Sequence, residues 1–227
     1  FASTVADSFT IRGGGGVGIN TADPAGSALN VNGKKVASAG VPGTDRSISK
    51  PQFIPQVADF SLGEREMDLL LKVSNFHHRR AGAWEAIKFG TETDIRKLSE
   101  RRVAFDLFLF GSIFIIGMYH VGLFILRRKD RSPLYFSIFC FLITLRILTI
   151  EERYLIHLFP KMNWEFLVKL EYMSFYLAIP AFALFMRSLF QDFSKRFLIL
   201  ITLAAGVLSG IVLVTPTRIF SHTLPVS

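Results

Sequence analysis

The second half of the chain is a series of long apolar runs, at about residues 107–126, 132–150, 166–190 and 197–217, separated by short polar stretches. The first and last runs contain no Asp, Glu, Lys or Arg. At 1.5 Å per residue, a twenty-residue helix is about 30 Å long, the thickness of a bilayer's hydrocarbon core. Four such runs in so short a stretch exceed what a water-soluble core uses, and they predict four membrane-spanning helices. The first half has a different texture. Ser8 to Arg12, Leu29 to Val31, Met67 to Val73 and Trp84 to Phe89 read as short strands, set between the turn signals Gly13 to Gly16, Asp23-Pro24 and Asn32-Gly33. Residues 38–55, with Pro42, Gly43, Pro51 and Pro55, read as a linker. Residues 92–103 are charged and compatible with a helix that runs directly into the first apolar run. The predicted fold is therefore mostly α, a polytopic membrane helix bundle preceded by a small partial β region.

Charge sets the predicted topology. The chain has 26 Lys and Arg against 18 Asp and Glu, a net charge of +8. No basic stripe interleaves with aromatics, which argues against nucleic acid as a partner. The cations instead cluster between apolar runs. Arg127, Arg128, Lys129 and Arg131 fill four of five positions after the first run, and Arg187, Lys195 and Arg196 flank the third connection. The second connection balances Arg153 and Lys161 against Glu151 and Glu152. The positive-inside rule then puts the first and third connections in the cytoplasm and the amino-terminal region outside, with Lys97, Arg101 and Arg102 as opposing evidence.

Charges inside the spans are costly and tend to pair across a bundle. Arg146 in the second run and Glu171 in the third lie at similar depths, and a structural ion pair between them is expected. His120 stands alone in the first run and reads as a packed histidine. The single cysteine, Cys140, excludes any disulfide framework within one chain.

The polyglycine run does not make a phosphate loop, because Gly18 leads to Ile19, Asn20, Thr21 and Asp23-Pro24 rather than to a helix. Around it, FTIRGGGGVGINTADPAGSALNVNG resembles a repeat of phage tail-fibre and other trimeric stalks. That resemblance implies that residues 1–50 bury their apolar side chains against two further chains, and it supports an alternative function as a membrane-anchored trimeric surface fibre.

A second resemblance covers residues 60–227. VSNFHHRRAGAWEAIKFG is followed by Gly117-Met118-Tyr119-His120, Leu123-Phe124, Arg127-Arg128 and Leu134-Tyr135-Phe136, then by KLEYMSFYLAIPAF and TPTRIFSH. In this order they resemble the bacterial seven-transmembrane receptors with diverse intracellular signalling modules. The resemblance implies four of seven helices, a location in the bacterial cytoplasmic membrane and an extracytoplasmic β-sandwich sensor of which residues 51–103 are the closing part. It implies a small extracytoplasmic ligand, a carbohydrate above all, and a homodimer. It also implies a cytoplasmic effector such as a histidine kinase or diguanylate cyclase beyond Ser227, so that the chain itself is not an enzyme. Residues 51–103 alone are too few for two packed sheets, and both ends of the chain read as cuts, with a join expected near Ser49-Lys50-Pro51.

Within the sensor remnant, Asn75, His77, Arg79, Arg80 and Trp84 form a candidate ligand-facing loop, in which the two arginines and the indole would suit an anionic sugar. His77 and His78 do not make a metal site, since adjacent side chains on an extended strand diverge and zinc takes three or four ligands. No cofactor is expected.

Overall fold

The computed structural model describes residues 8–11, 17–21, 26–52, 56–60, 67–78, 88–150, 154–159, 162–190 and 193–223. The chain divides into two compact units, Phe1–Val103 and Ala104–Ser227.

The first unit contains β1 (Ser8–Ile11), β2 (Val17–Thr21), β3 (Gly26–Val31), β4 (Lys34–Ala39), β5 (Gln56–Phe60), β6 (Met67–Ser74) and β7 (Lys88–Gly90). One sheet has the order β1-β6-β3-β4 and the other β5-β2-β7, and all the pairings are antiparallel. Asn32-Gly33 makes the β3–β4 hairpin, with both residues at positive φ, as a type I′ turn requires. The Asn32 side chain also accepts a hydrogen bond from the Asp68 amide at 2.9 Å, tying the turn to β6.

Both sheets draw strands from each side of residue 50, so four strand pairings cross the expected join near Ser49. The sheets meet over a small core. Leu29, Val31 and Leu69 from one sheet pack with Ala58 from the other, and Phe60, Leu71 and Val36 close its edges. Leu29 and Val31, which the fibre-stalk resemblance would bury against two further chains, are buried within their own chain. The two-sheet arrangement was missed because β2, β4 and β5 are short and lack strict alternation, which left residues 51–103 looking too few by themselves.

The expected linker is also different in kind. Val41 and Lys50 form an antiparallel bridge that closes residues 41–50 into a loop. Asp45 organises its tip by accepting from the Ser47 hydroxyl and amide and the Ile48 amide, bonds that hold its carboxyl below the usual value. Ser74 at the end of β6 fastens the loop through the Gly43 amide and the Ser49 hydroxyl. Gly40 is needed at the loop's mouth, since its φ is +68° and a Cβ there would overlap the Lys50 carbonyl oxygen.

The helices that follow among the described residues are α1 (Glu92–Leu126), α2 (Ser132–Thr149), α3 (Tyr154–Leu158), α4 (Trp164–Leu189), α5 (Lys195–Val214) and α6 (Thr217–Phe220). Thr91 caps α1, its hydroxyl accepting the Asp94 amide and donating to the Asp94 carboxylate. Asn163 and Ser194 cap α4 and α5 by accepting from the amides of Glu165 and Phe197. Pro133 sits in the first turn of α2, where its missing N–H costs nothing. The fourth span ends at Val214 rather than at 217, because Pro216 disfavours helical geometry at the residue before it.

Among the described residues, α1, α2, α4 and α5 are long and apolar enough to cross a membrane. In the bundle, α4 packs between α2 and α5. Half of its apolar window is buried, against 6% for α1. The helices alternate in direction. Phe136 near the start of α2 meets His120 near the end of α1 and Phe185 near the end of α4. Lys169 near the start of α4 reaches the last turn of α5. Four helix ends thus gather around the 127–131 loop, and α6 packs against α4 and α5.

Candidate functional site

The polar contacts concentrate at the α6 end of the bundle. Arg146, in the last turn of α2, donates from Nη1 to the Glu171 main-chain oxygen on α4 at 3.3 Å. Its guanidinium also stands 4.8 Å from the centre of the Phe175 ring. A ring face and a helix carbonyl both suit a cation removed from water. The sequence expectation was an ion pair between the side chains of Arg146 on α2 and Glu171 on α4. The contact resolved from Arg146 goes to the backbone of Glu171.

Two residues earlier on α4, Lys169 bonds the Leu213 carbonyl of α5 at 3.3 Å and pairs with Glu165 at 3.4 Å. Carbonyls in the last turn of a helix have no partner in their own helix, so the ammonium supplies one and also meets the negative end of the α5 dipole. Arg146 and Lys169 therefore tie α4 to both of its neighbours.

The chain then turns back after Pro216. Phe220 on α6 is completely buried and lies edge-on to Tyr172 at 5.1 Å. The Tyr176 hydroxyl and the Thr223 Oγ1 are 2.6 Å apart. Thr149 at the end of α2 and Thr217 at the start of α6 are buried at the same end. Thr149 donates to the Arg146 carbonyl, whereas the buried Thr217 hydroxyl has no hydrogen-bond partner among the described residues. Sequence reasoning missed this cap. Its signal was the motif TPTRIFSH, where a proline ends α5 and a Phe follows four residues later.

Losing the Arg146 contacts is expected to lower bundle stability by about 1–2 kcal/mol in Arg146→Gln, from one charge-assisted hydrogen bond and one cation–π contact. Denaturant titration in detergent checks this. Exchanging the charges (Arg146→Glu with Glu171→Arg) tests whether the side chains also pair. Recovery of the stability lost in either single variant indicates pairing. No recovery leaves the carbonyl contact as the tie.

The amino-terminal loop is described as far as His78, and Arg79, Arg80 and Trp84 lie outside the described residues. Asn75 accepts from the amides of His77 and His78 and donates to the His78 carbonyl, so its amide shapes the loop itself. His77 is partly buried beside Arg46, and both burial and that neighbouring positive charge hold its imidazole below the usual value. His77 is therefore neutral near pH 7 and able to accept or donate a hydrogen bond. Among the described residues, no three of His, Cys, Asp and Glu gather to hold a metal ion.

Alternating apolar helices tied by half-buried cations and small hydroxyls define a multi-pass membrane protein. Residues 102–227 match the family described as 7TM diverse intracellular signalling, which covers more than half of the 227-residue chain. The chain belongs to that family, and its bundle is a transmembrane signalling receptor domain. No curated protein and no solved structure matches the chain.

Proposed function

We propose that this receptor domain senses a small extracytoplasmic ligand, a carbohydrate in the first instance, and relays its binding to a cytoplasmic effector. The observation that carries this reading is the family match over residues 102–227. The proposed setting is the bacterial cytoplasmic membrane, with residues 1–103 outside. The charge of the 127–131 loop favours that orientation. Residues 51–103, together with the strands before them, are proposed as the sensor, with the 75–84 loop facing the ligand. The relay would be a shift of α4 between α2 and α5, for which the Arg146 and Lys169 contacts are the restraints. Signalling would proceed from a homodimer, with catalysis left to the effector.

The test uses the full chain in lipid nanodiscs, spin-labelled at cysteines replacing Arg128 and Ser188, with Cys140 changed to Ser. A panel of neutral and anionic oligosaccharides is screened by hydrogen exchange over residues 67–90. A sugar that protects this region should also change the label separation by about 1–2 Å, the scale of helix shifts in switching proteins. Protection with no change in separation contradicts the relay. A panel in which no sugar protects the region contradicts the ligand class.

A further inference from the structure

The bundle's two ends treat their cations differently. At the α6 end, Arg146 and Lys169 are bound to carbonyls of neighbouring helices. At the other end, Arg127, Arg128, Lys129, Arg131, Arg187, Lys195 and Arg196 form no salt bridge or side-chain hydrogen bond among the described residues. All of them but Arg187 are exposed. The one described carboxylate beside them, Asp130, is already bonded to the amide and hydroxyl of Ser132.

Helix polarity sharpens the imbalance. This end holds the amino termini of α2 and α5, and neither helix has an acid in its first turn. In α5 that turn instead carries Lys195 and Arg196, cations at the positive end of the helix dipole. Such an arrangement favours an anion held against these termini.

The neighbours of these cations indicate which anion. Arg127 follows Ile125 and Leu126, which are 57% and 82% exposed. Lys195 and Arg196 precede the exposed Phe197, and the exposed Leu189 and Phe190 follow Arg187. The cations therefore form a rim at the border of the apolar surface that faces lipid acyl chains, which is the depth of lipid phosphates. An acidic protein would have no use for that apolar border.

We propose that this rim binds the headgroups of anionic phospholipids, which complete the charge balance of the α2 and α5 termini. The surface potential of an anionic leaflet strengthens binding about fivefold for each nearby Lys or Arg.

The test compares the full chain purified in detergent and titrated with phosphatidylglycerol or with phosphatidylcholine, bound lipids being counted by native mass spectrometry. Phosphatidylglycerol should bind at least about tenfold more tightly. A variant with Gln at Arg127, Arg128, Lys129, Arg131, Lys195 and Arg196 should lose that preference. Lys at the four arginines should retain it, and so should Lys97→Gln with Arg101→Gln. If the sixfold variant fails to fold, variants confined to 127–131 or to 195–196 should each lose part of the preference. Equal binding of the two lipids, or a glutamine variant that keeps the preference, overturns the proposal. So does displacement of the lipid by equimolar inorganic phosphate, which indicates a free-anion site, or by an equimolar acidic peptide, which indicates a protein partner.

Discussion

Replacing Phe220 with alanine should destabilise the bundle by about 3–5 kcal/mol, the largest loss expected from any single truncation in it. Phe220 is wholly enclosed, and the edge of its ring contact is made by Tyr172, itself buried in α4. Removing the ring leaves a hole that α6, only four residues long, has little helix of its own to bridge. The loss should appear in denaturant titration and also locally, as faster hydrogen exchange over 217–223. Thr223→Val removes the hydroxyl's bonds to the Tyr176 hydroxyl and the Phe220 carbonyl and should cost about 1–2 kcal/mol. Equal effects from the two variants would mean that the hydroxyl pair, and not the ring, holds the cap.

Gly117→Leu should part α1 from α2 and cost about 2–3 kcal/mol. Even a Cβ at Gly117 would lie 3.1 Å from the Phe141 ring and 3.2 Å from the Cys140 Cβ. The ring edge has room to turn, but the Cys140 Cβ is fixed to the α2 backbone. A branched side chain therefore pushes the helices apart. In lipid no hydrophobic force restores the contact, since acyl chains are as apolar as leucine. Gly117→Cys reads the same proximity without relying on stability. Its sulfur should join the native Cys140 under mild oxidation, because the two β-carbons stand close to the spacing a disulfide needs. Failure to form that bridge would contradict the close approach of α1 and α2.

Sequence and structure agree best where the physics is local and cumulative. Each membrane span is a run of apolar residues long enough to cross a bilayer, and such a run reads clearly without knowledge of its neighbours. The start of α1 was legible for a similar reason, since residues 92–103 carry helix-forming charges continuous with the first span. The Asn32-Gly33 turn was legible because positive φ at two successive positions favours those residues. The β unit was read poorly because its core depends on partners distant in the chain. Leu29 meets Leu71 across β3 and β6, and Ala58 comes from the other sheet. Short strands such as QVADF and KKVASA carry too weak an alternation to announce such pairings.

The candidate site divides along the same line. Arg146 and Glu171 were found because a charge in an apolar run stands out. The contact of Arg146 with the Glu171 backbone oxygen depends on helix rotation that no spacing rule supplies. Lys169 was visible as a charge, but its bond to Leu213 joins residues 44 positions apart. Phe220 was invisible as a functional residue, since one Phe among 23 gains meaning only when it is seen enclosed.

Everything rests on α1, α2, α4 and α5 each crossing the bilayer, and single-cysteine labelling of intact cells tests this most directly. In a Cys140→Ser background, cysteines at Ser47, Lys129, Asn163 and Ser194 are treated with a membrane-impermeant maleimide before and after lysis. Labels at 47 and 163 should appear in intact cells, and labels at 129 and 194 only after lysis. Labelling of 129 or 194 in intact cells together with 163 would contradict the four-span arrangement.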